Sequence, residues 1–151
     1  MTRSETEEEQ ADRKFADILQ ELRVMQTGVQ LTAGFLLTLP FQQRFAELDD
    51  VQRGTYLVLV LLAGVTTAVV LTPVAVHRRL SGHHVKMQVV KAAHRMARTA
   101  LAFVALLVVG VIWFVFDVVV DRGAAIAAAA AMAGLAMLLL VAFPFRVHAD
   151  A

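Results

Sequence analysis

The sequence predicts an all-α protein: a four-helix transmembrane bundle with an amphipathic N-terminal lead-in and a basic cytoplasmic loop. Three observations predict it. Of the 151 residues, 58% are hydrophobic and mean hydropathy is +0.65, where a soluble domain has roughly 45–50% apolar residues. Four segments, at about 22–41, 55–76, 100–120 and 124–143, are long and apolar enough to cross a bilayer. The basic side chains are concentrated in one connection, residues 77–98, which holds no acid.

The N-terminal stretch, residues 1–21, is polar and acidic, and nothing in it has the basic-then-apolar pattern of a cleaved leader. Residues 1–10 read as disordered, and Ser4 and Glu7 have the spacing of a capping box from which a helix can start. Phe15, Ile18, Leu19, Leu22, Met25 and Val29 then recur at helical spacing, with Arg13, Lys14, Asp17 and Glu21 off that stripe. This predicts an amphipathic helix on the membrane surface that runs into the first span. Leu22 to Phe41 covers roughly 30 Å at about 1.5 Å per residue, one hydrocarbon thickness, and Pro40 should end or kink the helix.

The first span differs from the others in its uncharged polar side chains. Gln26, Gln30, Gly34 and Thr38 recur every four residues and Thr27 is adjacent, so they form a lane on one helix face. Polar groups in hydrocarbon are costly without partners. The expectation is that this lane faces other helices, as packing or as the wall of a pathway, with the first helix inside the bundle.

A short polar connection follows, and Asp49 and Gln52 have N-cap and N3 spacing, placing the next helix start at Asp49 or Asp50. The second span should bend at Thr72-Pro73 without stopping. Ser81-Gly82 breaks the chain, and one helix is expected from about His84 to Val120. Asp121-Arg122-Gly123 reads as a tight turn, and Pro144 closes the alanine-rich fourth span. Gly64 with Ala68, and Ala130 with Gly134, have the small-xxx-small spacing of close helix packing. Residues 22–143 form the membrane domain and 144–151 a cytoplasmic tail.

Arg78, Arg79, Lys86, Lys91, Arg95 and Arg98 lie in the acid-free loop, against Arg44, Arg53 and Arg122 in the other two connections. The positive-inside rule puts this loop and both termini in the cytoplasm. The same six side chains are the expected contacts for anionic lipid headgroups. The acid-rich tail stands on the same side, where it can cover the basic loop.

The run LRVMQTGVQ-LTAG-FLLTLPFQQRF and the exit PVAVHRRL at Pro73 to Leu80 resemble a family of small four-span membrane proteins of unknown function, found mostly in actinobacteria. The resemblance covers about Ala16 to Val141. It implies the four-span topology in a bacterial plasma (inner) membrane. Some members carry a sodium:proton antiporter label. An antiporter usually needs an ionisable group deep in the membrane; here no span has a charge at its centre, and Asp117 and Asp121 read as a solvated helix end.

There is no cysteine, which excludes disulfides and thiolate sites. His77, His83, His84 and His94 stand among cations and without a nearby acid, so no metal is expected. No phosphate loop, HExxH, GxSxG or intramembrane acid pair is present, and neither catalytic residues nor a cofactor is expected. The net charge of +1 gives no sign of nucleic-acid binding. The expected protein is therefore a non-enzymatic multi-pass membrane component, structural or partner-binding. Its expected partners are the lipid bilayer, anionic headgroups, and a second copy of itself or another membrane protein. The alternative is a small cation- or proton-linked transporter or channel using Gln26, Thr27, Gln30 and Thr38.

Overall fold

The computed structural model describes residues 6–80 and 87–142. There are four helices, α1 (Glu7–Thr38), α2 (Asp50–Leu80), α3 (Met87–Val119) and α4 (Arg122–Met137), with two short 3-10 segments, Leu39–Phe41 and Gln43–Glu47, between α1 and α2. The backbone after α4 continues as a π-helical stretch, Leu138–Ala142. No strand occurs among the described residues. Three helical stretches, Asp50–Val76, Val89–Val119 and Arg122–Ala142, are long and apolar enough to cross a membrane. The first helix is not among them, because its charged N-terminal half and Gln26 and Gln30 lower its hydropathy.

The starts and stops have local causes. Ser4 lies outside the described residues, and the box at the head of α1 is closed by the next matching pair. The Glu9 backbone N–H donates to the Thr6 hydroxyl at 3.3 Å, and the Glu9 carboxylate accepts from the Thr6 N–H at 2.9 Å. At the other end α1 stops at Thr38, and Pro40 sits in the 3-10 turn that follows. The box at the head of α2 is the one expected: the Gln52 N–H donates to Asp49 Oδ1 at 2.8 Å, and the Asp49 N–H donates to Gln52 Oε1 at 3.1 Å. As expected, α2 does not stop at Pro73. Ser81-Gly82 lies outside the described residues. The turn before α4 is shorter than expected. Asp121 is the N-cap, accepting from the Ala124 N–H at 2.8 Å, so Arg122 and Gly123 already belong to the helix.

The chain forms two compact units. The first takes residues 1–35 and 63–104, so it joins the starts of α1 and α3 with the end of α2. Its core is one seam, in which Ala11, Phe15, Ile18 and Leu22 of α1 pack with Val90, Ala93, Ala97 and Ala100 of α3 and Val70 of α2. The first part of the amphipathic stripe read from the sequence, Phe15, Ile18 and Leu22, lies in this seam, with Met25 packed against it. The second unit takes residues 36–62 and 105–151. There Tyr56 lies edge-on to Phe45 at 5.0 Å and tilted against Phe114 at 6.3 Å. The close helix approach in this unit is at Gly110, where a Cβ would stand 2.6 Å from Leu59 Cδ2. The small residues singled out from the sequence are placed differently: Gly64, Ala68, Ala130 and Gly134 are all exposed.

Two predictions follow from this local geometry. Leu59 is only 3% exposed and has little room to move aside, whereas a Cβ at Gly134 meets nothing within 4 Å. Gly110→Ala should therefore be less stable than Gly134→Ala by about 1–3 kcal/mol in detergent unfolding; equal midpoints would contradict the close approach. The Thr6 N–H and hydroxyl hold the Glu9 carboxyl below its ordinary value of 4.5. That contribution is complete above pH 4.5 and is lost as pH falls through the lowered value. The protection factors of amides in the first turn of α1, measured against the intrinsic exchange rate at each pH, should fall over that acid window, and Glu9→Gln should abolish that fall.

Candidate functional site

In the second unit, Asp117 stands near the end of α3 with its side chain 2% exposed. Burying a carboxylate requires a paired charge, and Arg122, in the first turn of α4, supplies it. Its Nε donates to Asp117 Oδ1 at 3.0 Å and its Nη2 to Oδ2 at 3.2 Å, the two-pronged geometry that guanidinium and carboxylate share. The same Nη2 also reaches Asp49 Oδ2 at 3.2 Å, and the guanidinium carbon lies 6.0 Å from the Trp113 ring centroid.

Gln52 completes the cluster. Its carboxamide oxygen caps the Asp49 N–H while its Nε2 donates to the Asp117 carbonyl at 3.1 Å, one of the last carbonyls of α3, which have no helical partner of their own. One cation, two carboxylates and one carboxamide thus tie the start of α2, the end of α3 and the start of α4. Gly123 has a role beside them, since a Cβ there would stand 3.1 Å from the capping Asp121 Oδ1. The reading of Asp117 as part of a solvated helix end is corrected, since it is buried and paired; Asp121 is exposed, as expected, and caps α4. Every contact of Asp117 fixes it in place, so the arrangement is that of a clasp. Its signals in the sequence were an acid after Trp113-Phe114-Val115-Phe116 and an arginine just past the turn.

The polar lane is not turned into the chain. Thr27, Gln30 and Thr38 are exposed and Gln26 is half-buried, because the buried face of α1 is the stripe through Leu22, Val29 and Leu36. The Thr27 hydroxyl donates to the Arg23 carbonyl at 3.1 Å, and the neighbouring Thr32 hydroxyl to the Gly28 carbonyl at 3.0 Å. Such bonds back to the preceding turn let a threonine face an apolar medium without a partner helix.

Among the six basic residues, Lys91, Arg95 and Arg98 are exposed on one face of α3. They line an open cavity of about 750 Å³ in the first unit, across from Lys14, Asp17 and Glu21 of α1. The side chains of Arg78 and Arg79, and Lys86, lie outside the described residues, as do His77, His83 and His84. The structure therefore brings part of the acid-rich N-terminal helix alongside the basic stretch. No ion pair joins these facing groups among the described residues.

Removing members of the clasp should give unequal effects. Arg122→Gln strands a buried carboxylate, whereas Asp117→Asn leaves a half-exposed guanidinium that water can serve, so the arginine variant should lose more stability. Gln52→Ala, which loses a cap and one bond, should cost about 0.5–2 kcal/mol. Chemical unfolding in detergent measures all three, and equal losses for the two charge variants would contradict the buried placement of Asp117.

No curated protein and no solved structure matches the chain. Residues 4–144, nearly the whole sequence, match the model of a family of unknown function, and the chain accordingly belongs to that family, designated DUF6328.

Proposed function

We propose that the chain is a four-span integral membrane protein of structural or partner-binding role, with both termini and the basic loop on the cytoplasmic side of a bacterial plasma membrane. One observation carries the membrane part of this reading: many large apolar side chains of α2, α3 and α4 face outward. Leu61 is 70% exposed, Val119 67% and Ile126 60%. At about 25 cal/mol per Å² of apolar surface, a chain bearing so many such groups is suited to lipid and not to water.

The fourth crossing is assigned to α1. Val24, Leu31 and Phe35 lie exposed on it beside the lane, and its hydroxyls at Thr27 and Thr32 are satisfied within the helix. Its start shares a compact unit with the start of α3 and the end of α2, the grouping that alternating crossings produce. The outward small residues Gly64, Ala68, Ala130 and Gly134 give surfaces on which a helix of a second copy or another membrane protein can pack closely. The clasp supports a structural role, since its charges bind each other.

Thiol labelling tests the reading, because the wild-type chain has no cysteine background. With Gln43→Cys, an impermeant reagent should label intact cells; with Asp17→Cys, it should label only after permeabilisation. Labelling of both from the same side would remove α1 as a span, and the reversed pattern would overturn the orientation. A water-soluble reagent should leave Gln30→Cys unmodified in membranes. Fast modification there, together with Thr27→Cys and Thr38→Cys, would favour the transporter or channel alternative along Gln26, Thr27, Gln30 and Thr38.

A further inference from the structure

The cavity lined by the basic face of α3 does not end at its charged mouth. A second open cavity, about 390 Å³, adjoins it in the same unit and shares Glu21, His94 and Arg98 with it. Beyond those three the second cavity is lined only by Val24, Met25, Ala97 and Leu101. The result is one amphipathic cleft between α1 and α3, charged at one end and apolar at the other. Its volumes are of the size that holds small ligands, about 300–1,000 Å³.

The charged end has the sign for an anion. Lys91, Arg95 and Arg98 follow one another at helical spacing on one face, and Lys14 faces them from α1, against the carboxylates of Asp17 and Glu21. The four cations form no ion pair among the described residues, so their charge is available. Two neighbouring guanidinium groups are suited to a phosphate, which they bind with paired N–H donors. The apolar arm lies at residues 24–25 and 97–101, where the first and third spans are read to begin. Along both helices the cleft therefore passes from polar to apolar at the level where headgroups give way to acyl chains.

From this the geometry points to a binding site for one anionic phospholipid. Its phosphate sits among Lys91, Arg95 and Arg98, and an acyl chain lies along Val24, Met25, Ala97 and Leu101. Asp17 and Glu21 repel a bare phosphate but accept hydrogen bonds from a headgroup with hydroxyls beyond its phosphate, as in phosphatidylglycerol. The site rests on the membrane reading given above, and it adds to general headgroup attraction a single bound molecule with a defined place for its chain.

Native mass spectrometry of the full-length protein in detergent tests it, with dioleoyl phosphatidylglycerol, dioleoyl phosphatidylcholine and glycerol 3-phosphate as probes. Wild type should retain one phosphatidylglycerol at least about 10-fold more tightly than phosphatidylcholine. Arg95→Gln and Arg98→Gln should each weaken the anionic lipid by about 5-fold, at roughly 1 kcal/mol per cation, and leave phosphatidylcholine unchanged. Leu101→Trp, which fills the apolar arm and leaves the charges in place, should also weaken it. Each variant should unfold at the wild-type midpoint, so that loss of binding is not loss of fold. Equal retention of the two lipids would overturn the site, as would displacement of the lipid by glycerol 3-phosphate at matching concentration or unchanged binding by Leu101→Trp. A carbonate wash of the membranes separates the two readings. Release of the protein would overturn the membrane reading itself, whereas retention with non-selective lipid binding would overturn the cleft alone.

Discussion

The first unit depends on the seam between α1 and α3. Phe15, Ile18 and Leu22 are at most 5% exposed, and they are matched by the small column Ala93, Ala97 and Ala100. Alanine on one side and large side chains on the other let the two helices interdigitate at short range. The position of the seam has a physical reason. Within lipid, helix association gains nothing from excluding water, since acyl chains are as apolar as leucine. Where water has access, as beside the charged side chains of Lys14, Asp17 and Glu21, burying each of these side chains is worth about 1.5–3 kcal/mol. Phe15 and Ile18 belong to the charged first half of α1, and Leu22, Val29 and Leu36 continue the same buried face along the helix.

The seam also fixes what else α1 can do. Once Leu22, Val29 and Leu36 define the buried face, Thr27, Gln30 and Thr38 must point away from it. It also sets Lys14, Asp17 and Glu21 across from Lys91, Arg95 and Arg98. The charged mouth and the apolar arm of the cleft follow from two parallel helices passing together from a polar to an apolar stretch.

Much of this was legible in the sequence because it is local. The box at Asp49 and Gln52, the stop at Pro40 and the passage of α2 through Pro73 need only spacing and backbone chemistry. The head of α1 shows how local rules leave ties: Ser4 with Glu7 and Thr6 with Glu9 satisfy the same pattern, and the second pair is closed among the described residues. What was not legible depends on distant residues. Arg122 reaches Asp49 across 73 positions, and Gly110 is needed only because Leu59 lies over it. The lane was read as inward because polar groups in lipid need partners. Within this chain Thr27, Gln30 and Thr38 are exposed, and the carbonyl four residues back already serves Thr27 and Thr32.

The parallel course of α1 and α3 along the seam is the central claim, and paired spin labels in lipid bilayers test it most directly. Cysteines introduced at Lys14 with Lys91, and at Glu21 with Arg98, should each give a shorter distance than the crossed pairs, Lys14 with Arg98 and Glu21 with Lys91. Shorter distances for the crossed pairs would mean that the two helices run in opposite directions, and would contradict the seam, the cleft and the shared side of the two helix starts together.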